Sequence, residues 1–352
     1  MAVAGLTRLR KHQFGRQVAF GTPVAAVAAY PFSGVPSPDR AWSDREVDVG
    51  SIDPVAAPVL GAPDLTSSLT DPGVEYNSLP LLFAAIFGGA ETPTGAGDAK
   101  TWAWAPASTT VDAVDAFTYE FGDDVTTDWY QFGDSILESL ELVGPTGLGP
   151  FTGSYGWRHG SMASSGATDL PDSPTVPTAD LEVDPNAALL YLKDTGIYIA
   201  SSVSGLAAGQ VTDALYGLTW RVTGDVDQKR WANGDKSFDV DAYSRATRMI
   251  ELVAVWAKTS DIVGVGSESD AWMSDEAITR YVRIYAESAV KISTGPDVFY
   301  SLELVMPMRY FTREETNEGG NSTVTLTGHA FFDPEDFEGV LTAEVVCTRA
   351  TI

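Results

Sequence analysis

Residues Asp134 to Gly144 read DSILESLELVG. In an extended chain Leu140 and Leu142 fall on one side and Glu141 and Val143 on the other, the two-residue period of a half-buried strand. The neighbouring segments share this character: TWAWAP (Thr101 to Pro106), DAFTYEFGD (Asp115 to Asp123) and FTGSYGWRHG (Phe151 to Gly160) are rich in aromatic residues. Further on come AALLYLKDTGIYIAS, ALYGLTWRVTGDV, ITRYVRIYAESAVKIS, VFYSLELVMPMRYFTREE, STVTLTGHAFFDP and GVLTAEVVCTRA. Their β-branched and aromatic content, bounded by Gly, Asp and Pro, predicts a largely antiparallel sheet system.

Two helices are predicted beside the strands. NSLPLLFAAIF, Asn77 to Phe87, has Asn77 or Ser78 to cap it, Pro80 in the first turn and Gly88-Gly89 to stop it. It is apolar nearly all round and should be buried. A shorter helix is expected near Ser269 to Ile278. The fold class read from the residues is therefore mainly β, antiparallel, with one or two short flanking helices and an extended N-terminal arm.

The chain divides into four parts. Residues 1–76, punctuated by Pro and Gly, read as an extended arm and loops with isolated strands that wrap rather than build a core. Residues 77–160 form a first β-rich part with the buried helix, 161–186 a Pro/Ser-rich loop or linker, and 187–352 a second β-rich part. Leu137, Leu140 and Leu142 are echoed by Leu215, Leu218 and Trp220 at the same spacing, which leaves a duplicated unit open.

Composition narrows the function. The chain has 352 residues, 44% of them hydrophobic and 20% charged, enough for a sizeable core. Its formal net charge is −26, which repels phosphate and disfavours a conventional DNA-reading protein. The first 38 residues nevertheless contain no acid and carry Arg8, Arg10, Lys11 and Arg16. They are read either as a basic arm for the acidic surface of another copy or as a solvated terminus. The single Cys347 excludes a disulfide framework, and no run is apolar and long enough to span a membrane.

No catalytic constellation stands out. His12, His159 and His329 are scattered singly without a partner at metal-ligand spacing. GVGSE at Gly264 to Glu268 lacks the closing glycine of a nucleophile elbow, and GPTGLGP at Gly144 to Pro150 matches no phosphate-binding loop. Asp225, Asp227, Asn233, Gly234 and Asp235 suggest a calcium loop, but Lys229 and Arg230 take places that need oxygen or glycine. The abundant Trp and Tyr could form a sugar platform, though strand tryptophans more commonly pack. The chain is expected not to be an enzyme and to need no cofactor or metal.

The order of GRQVAFGTPVAA (Gly15 to Ala26), NSLPLLFAAIFGG (Asn77 to Gly89), FTYEFGDD (Phe117 to Asp124) and STVTLTGHAFFDP resembles the major tail tube proteins of long-tailed bacteriophages of actinobacterial hosts. The resemblance implies a β-sandwich or barrel-like subunit in stacked rings, hexameric or, with duplicated units, trimeric. It implies a virion location in the phage tail after assembly in the host cytoplasm, and a hollow conduit for genomic DNA bound without sequence preference. The tape-measure, tail terminator and distal tail proteins would be partners. On this reading Arg8, Arg10, Lys11 and Arg16 contact the adjacent ring while Phe14, Val18 and Phe20 supply apolar burial, and Glu138, Glu141 and Glu303 line the bore. The alternative is a β-sandwich binding module of the virion, a decoration, receptor-binding or glycan-binding protein.

Overall fold

The computed structural model describes residues 10–46, 55–89, 92–95, 97–106, 114–123, 128–147, 149–164, 188–211, 215–229, 242–259, 262, 268–273, 278–294, 297–318 and 321–352. It is mainly β and antiparallel throughout, as the alternation predicts. The first strands are β1 (Arg10–Arg16), β2 (Ala28–Tyr30), β3 (Pro36–Glu46) and β4 (Val55–Asp71), followed by helix α1 (Leu79–Phe87). Next come β5 (Lys100–Trp104), β6 (Phe117–Asp123), β7 (Asp128–Gly144), β8 (Thr152–His159) and β9 (Ser161–Ser164). After 165–187, which lie outside the described residues and hold most of the predicted linker, the chain forms β10 (Thr195–Ala200), β11 (Gln210–Val211), β12 (Leu215–Lys229) and β13 (Ala242–Ala257). Helix α2 (Glu268–Met273) precedes β14 (Arg280–Thr294), β15 (Asp297–Glu318), β16 (Asn321–Ala330) and β17 (Thr342–Cys347).

Three pairing layers share two long strands. One runs β3–β4–β8–β7–β12–β13–β16 and ends on the C-terminal half of β15. A second runs β11–β10–β14, then the N-terminal half of β15, then β17 and β5. The third joins β2, β1, β6, the first half of β7 and β9. Strand β7 changes layer at Asp134, a buried non-glycine residue at φ 50. Aspartate tolerates that left-handed conformation better than most residues. Here Asp134 Oδ1 accepts from the Gly21 N–H at 2.8 Å and its carbonyl accepts from the Tyr243 hydroxyl at 2.8 Å.

The first two layers face one another across the core. Leu142, Leu218 and Trp220 from one meet Ile284, Ala286, Leu302 and Leu304 from the other around a narrow apolar void. Helix α1 is buried over its whole length. Phe83 packs edge-on to Trp104 and Trp220 at 5.4 and 5.7 Å. Each large apolar side chain so buried contributes roughly 1.5–3 kcal/mol, which explains why a helix with no polar face is tolerated here. Gly88, at φ 74, ends it with its N–H on the Ala84 carbonyl. Neither expected cap acts as one: Ser78 makes no capping bond, and Asn77 Oδ1 instead accepts from the Thr348 N–H and hydroxyl at 3.2 and 3.1 Å.

The described part of residues 1–76 corrects the expectation of a wrapping arm. Phe14, Tyr30, Phe32, Leu69, Val74 and Tyr76 belong to the main core. The segments before and after the Pro/Ser-rich stretch are also bonded to each other, through β7–β12 and β17–β5. The two echoing leucine segments are those very neighbours, with Leu142 opposite Trp220.

Candidate assembly surfaces

Strand β1 places the N-terminal residues. Alternation sends Phe14 inward, where it stacks on Tyr119 at 4.7 Å and contacts Trp157 at 4.9 Å, fully buried. Phe14 therefore supports its own subunit and cannot supply contact area to another ring. Arg16 Nη2 lies 2.9 Å from Asp115 Oδ1, an ion pair within the chain. Lys11 is half-buried, and Arg10 stands opposite Asp123 in the ladder. Arg8 lies outside the described residues. Of the apolar candidates, Val18 is 96% exposed and Phe20 rests on the Tyr243 ring at 5.5 Å. Both sit on the loop after β1.

That loop returns over the outer side of β1. Its Val24 N–H donates to Thr118 Oγ1 at 2.8 Å and its Val27 N–H to the Phe14 carbonyl at 2.9 Å. A Cβ on Gly15 would stand 2.6 Å from the Ala25 carbonyl oxygen, so the close crossing requires glycine at this position. Beneath it the cross-strand row Gln13, Glu120, Gln131 is buried. Gln131 Nε2 donates to Glu120 Oε1 at 3.0 Å, and burial pushes the Glu120 carboxyl upward.

The three acids expected to line one bore do not share a face. Leu140 and Leu142 turn inward, so Glu141 turns outward on one layer; Leu302 and Leu304 turn inward from the opposing layer, so Glu303 faces the other way. Each acid also has an arginine. Arg158 Nε donates to Glu138 Oε1 at 2.5 Å, and Arg221 Nε to Glu141 Oε2 at 2.6 Å. Arg283 holds Glu303 through two bonds of 2.9 and 3.1 Å. Glu141, Arg221, Glu251, His329 and Arg309 stand in register across five strands, a charge row no local spacing could display.

Other features escaped the sequence for the same reason. Phe311 sits at the register shift between Tyr310 and Thr312, which turns its ring outward; it is 47% exposed beside His329 at 4.2 Å. Arg283 lies 4.9 Å from both the Tyr198 and Tyr285 ring centres. Glu344 stands directly opposite Glu303 in the β15–β17 ladder.

The most enzyme-like grouping is Ser67–His159–Ser135, with hydroxyls 2.6 Å from Nε2 and 2.7 Å from Nδ1. His159 is fully buried against Tyr119 and Phe132, and burial lowers its pKa to about 3. A neutral imidazole with both nitrogens engaged and no solvent path is a packing element. Cys347 is likewise buried, its thiol pushed up to about 11. Trp102, Trp104, Trp157, Trp220 and Trp256 are buried, which removes them as a sugar platform. Among the described residues no cluster of three His, Cys, Asp or Glu could hold a metal ion, and no helix is long and apolar enough to cross a membrane. The chain matches no protein-family model, and a search among curated proteins finds no significant relative.

Proposed function

We propose that this chain is a structural subunit that polymerises with copies of itself into the stacked rings of a phage tail tube, a conduit for genomic DNA. The observation that carries this reading is the β3–β4 ribbon. Its base, Leu65 to Asp71, bonds onward to β8, while the ladder joining Arg40–Glu46 to Val55–Pro63 has no further strand beside it among the described residues. A two-stranded ribbon is marginally stable alone in water, and its free edges are templates for further pairing. Such an element is suited to completion by a neighbouring subunit. The exposed apolar loop tip at Val18 supports the same reading.

A net charge of −26 suits passage of a duplex without a grip on its phosphates. On the Glu138 and Glu141 face, arginines paired to acids leave little net local field, so repulsion in the bore comes from the chain's overall excess of acid. The tape-measure, terminator and distal tail proteins enter as partners through the sequence resemblance alone.

Negative-stain microscopy of the concentrated protein tests this reading. Long hollow polymers are expected; discrete small particles with saturable sugar binding would instead favour a virion binding module. Because β1 belongs to the core, the informative truncation removes residues 1–9 and leaves β1 intact.

A further inference from the structure

At the β5 edge the outer surface is concave. Ala103, Trp104, Ala105, Glu303, Thr342 and Glu344 line a groove of about 390 Å³. Two independent features of this groove are unfinished. First, Glu303 and Glu344 are directly opposed like charges, an arrangement that costs stability in a sheet. Arg283 clamps Glu303 from the β14 side, yet Glu344 has no cationic partner among the described residues. In keeping with that opposition, partial desolvation, and then the charge of Glu303, push the carboxyl of the exposed Glu344 upward. Second, beyond Thr101 the outer edge of β5 carries no strand among the described residues. Thr101 exchanges both backbone bonds with Thr94 on the outer side of β5. Alternation points the Ala103 N–H and C=O the same way, and no described residue pairs with them.

These features ask for an extended segment carrying a cation, and the chain's own acid-free N-terminus has that chemistry. We propose that this groove receives residues 1–9 of a second copy, which add as a strand beside Ala103 and bring Arg8 to Glu344 and Glu303. Nine residues span at most ~30 Å, enough to lie along the groove while still entering β1 at Arg10. Arginine suits the site because its planar fork can meet two carboxylates at once. The inference rests on the polymer reading only for the identity of the occupant as a second copy.

The test uses the dilute full-length protein and a fluorescent peptide of residues 1–12, read by anisotropy. Binding is expected, and it should weaken about tenfold or more in Glu344→Gln, which removes one charge while keeping the side chain's shape. Ala103→Pro, which deletes the outer N–H at an edge where proline is tolerated, should weaken it comparably. Glu344→Gln should at the same time raise the melting temperature of the subunit, since it relieves the opposed carboxylates; a residue serving the fold alone would lower it. Equal peptide affinity in the wild type and both variants, or no binding at about millimolar peptide, overturns the groove even if tubes form. Binding with the expected variant losses by a protein that never polymerises upholds the groove and overturns the polymer reading. Full-length Arg8→Glu and Glu344→Arg should each reduce self-association in sedimentation, and together restore it.

Discussion

Two residues show how a single side chain is fixed by its surroundings. Gly15 is where the returning loop touches β1. Gly15→Ala would push a methyl group into the Ala25 carbonyl, so a loss of about 1–3 kcal/mol is expected in denaturant titration, with the loop rather than the sheet displaced. Asp71 is buried, with Gly73 N–H at 3.0 Å and the Tyr155 hydroxyl at 3.5 Å, and burial raises its pKa to about 6. Between the unfolded value near 4 and this folded value the native state binds more protons than the unfolded chain, so stability falls as pH rises through that window. Asp71→Asn removes the charge, keeps Oδ1 as acceptor for the Gly73 N–H and turns the Tyr155 contact round, with Nδ2 donating to the hydroxyl oxygen. It should flatten that part of the pH profile and stabilise the protein at pH 7 by about 1–2 kcal/mol; an unchanged profile would show that Asp71 is solvated.

Among the elements, α1 and the β3–β4 ribbon represent opposite extremes. The helix is buried on all sides, and Phe83→Ala should cost about 3–5 kcal/mol because the Trp104 and Trp220 rings cannot both close the space. Asn77→Ala is expected to loosen the Thr348 segment by about 1 kcal/mol without shortening the helix, since the side chain serves the C-terminal segment and not the helix end. The ribbon should behave otherwise. Replacing residues 42–59 by a short turn is expected to leave circular dichroism and melting nearly unchanged while abolishing long polymers in negative stain. A large fall in melting temperature would mean that the ribbon is part of the fold and would remove the main support for the polymer reading.

The whole molecule carries a strong negative charge and several carboxylates raised by desolvation: Asp71, Glu120 and Glu268, which are buried or half-buried, and the exposed Glu344, which also feels Glu303. All four shifts have the same sign, and mild acid also reduces self-repulsion. The melting temperature should therefore rise as pH falls from 8 to about 5, before cation-paired acids such as Glu315, held down by Lys258 and then Arg313, protonate and the trend reverses. A steady fall over that range would contradict the upward shifts of these carboxylates.

The amino-acid sequence alone determined most strands from β5 onward and the buried helix, and it offered no catalytic motif, because alternation, apolar periodicity and Pro/Gly punctuation act within a few residues. The ends of α1 were legible from Pro80 and Gly88, and the inward faces of β7 and β15 from their leucines. What only the tertiary structure decided is which strands adjoin. Phe14 became core, Glu303 came to face away from Glu138 and Glu141, and Glu344 came to oppose Glu303 because register joins residues far apart in the chain. Charge and burial are set by such neighbours, and a strand's own pattern names its two faces without saying what lies across from either.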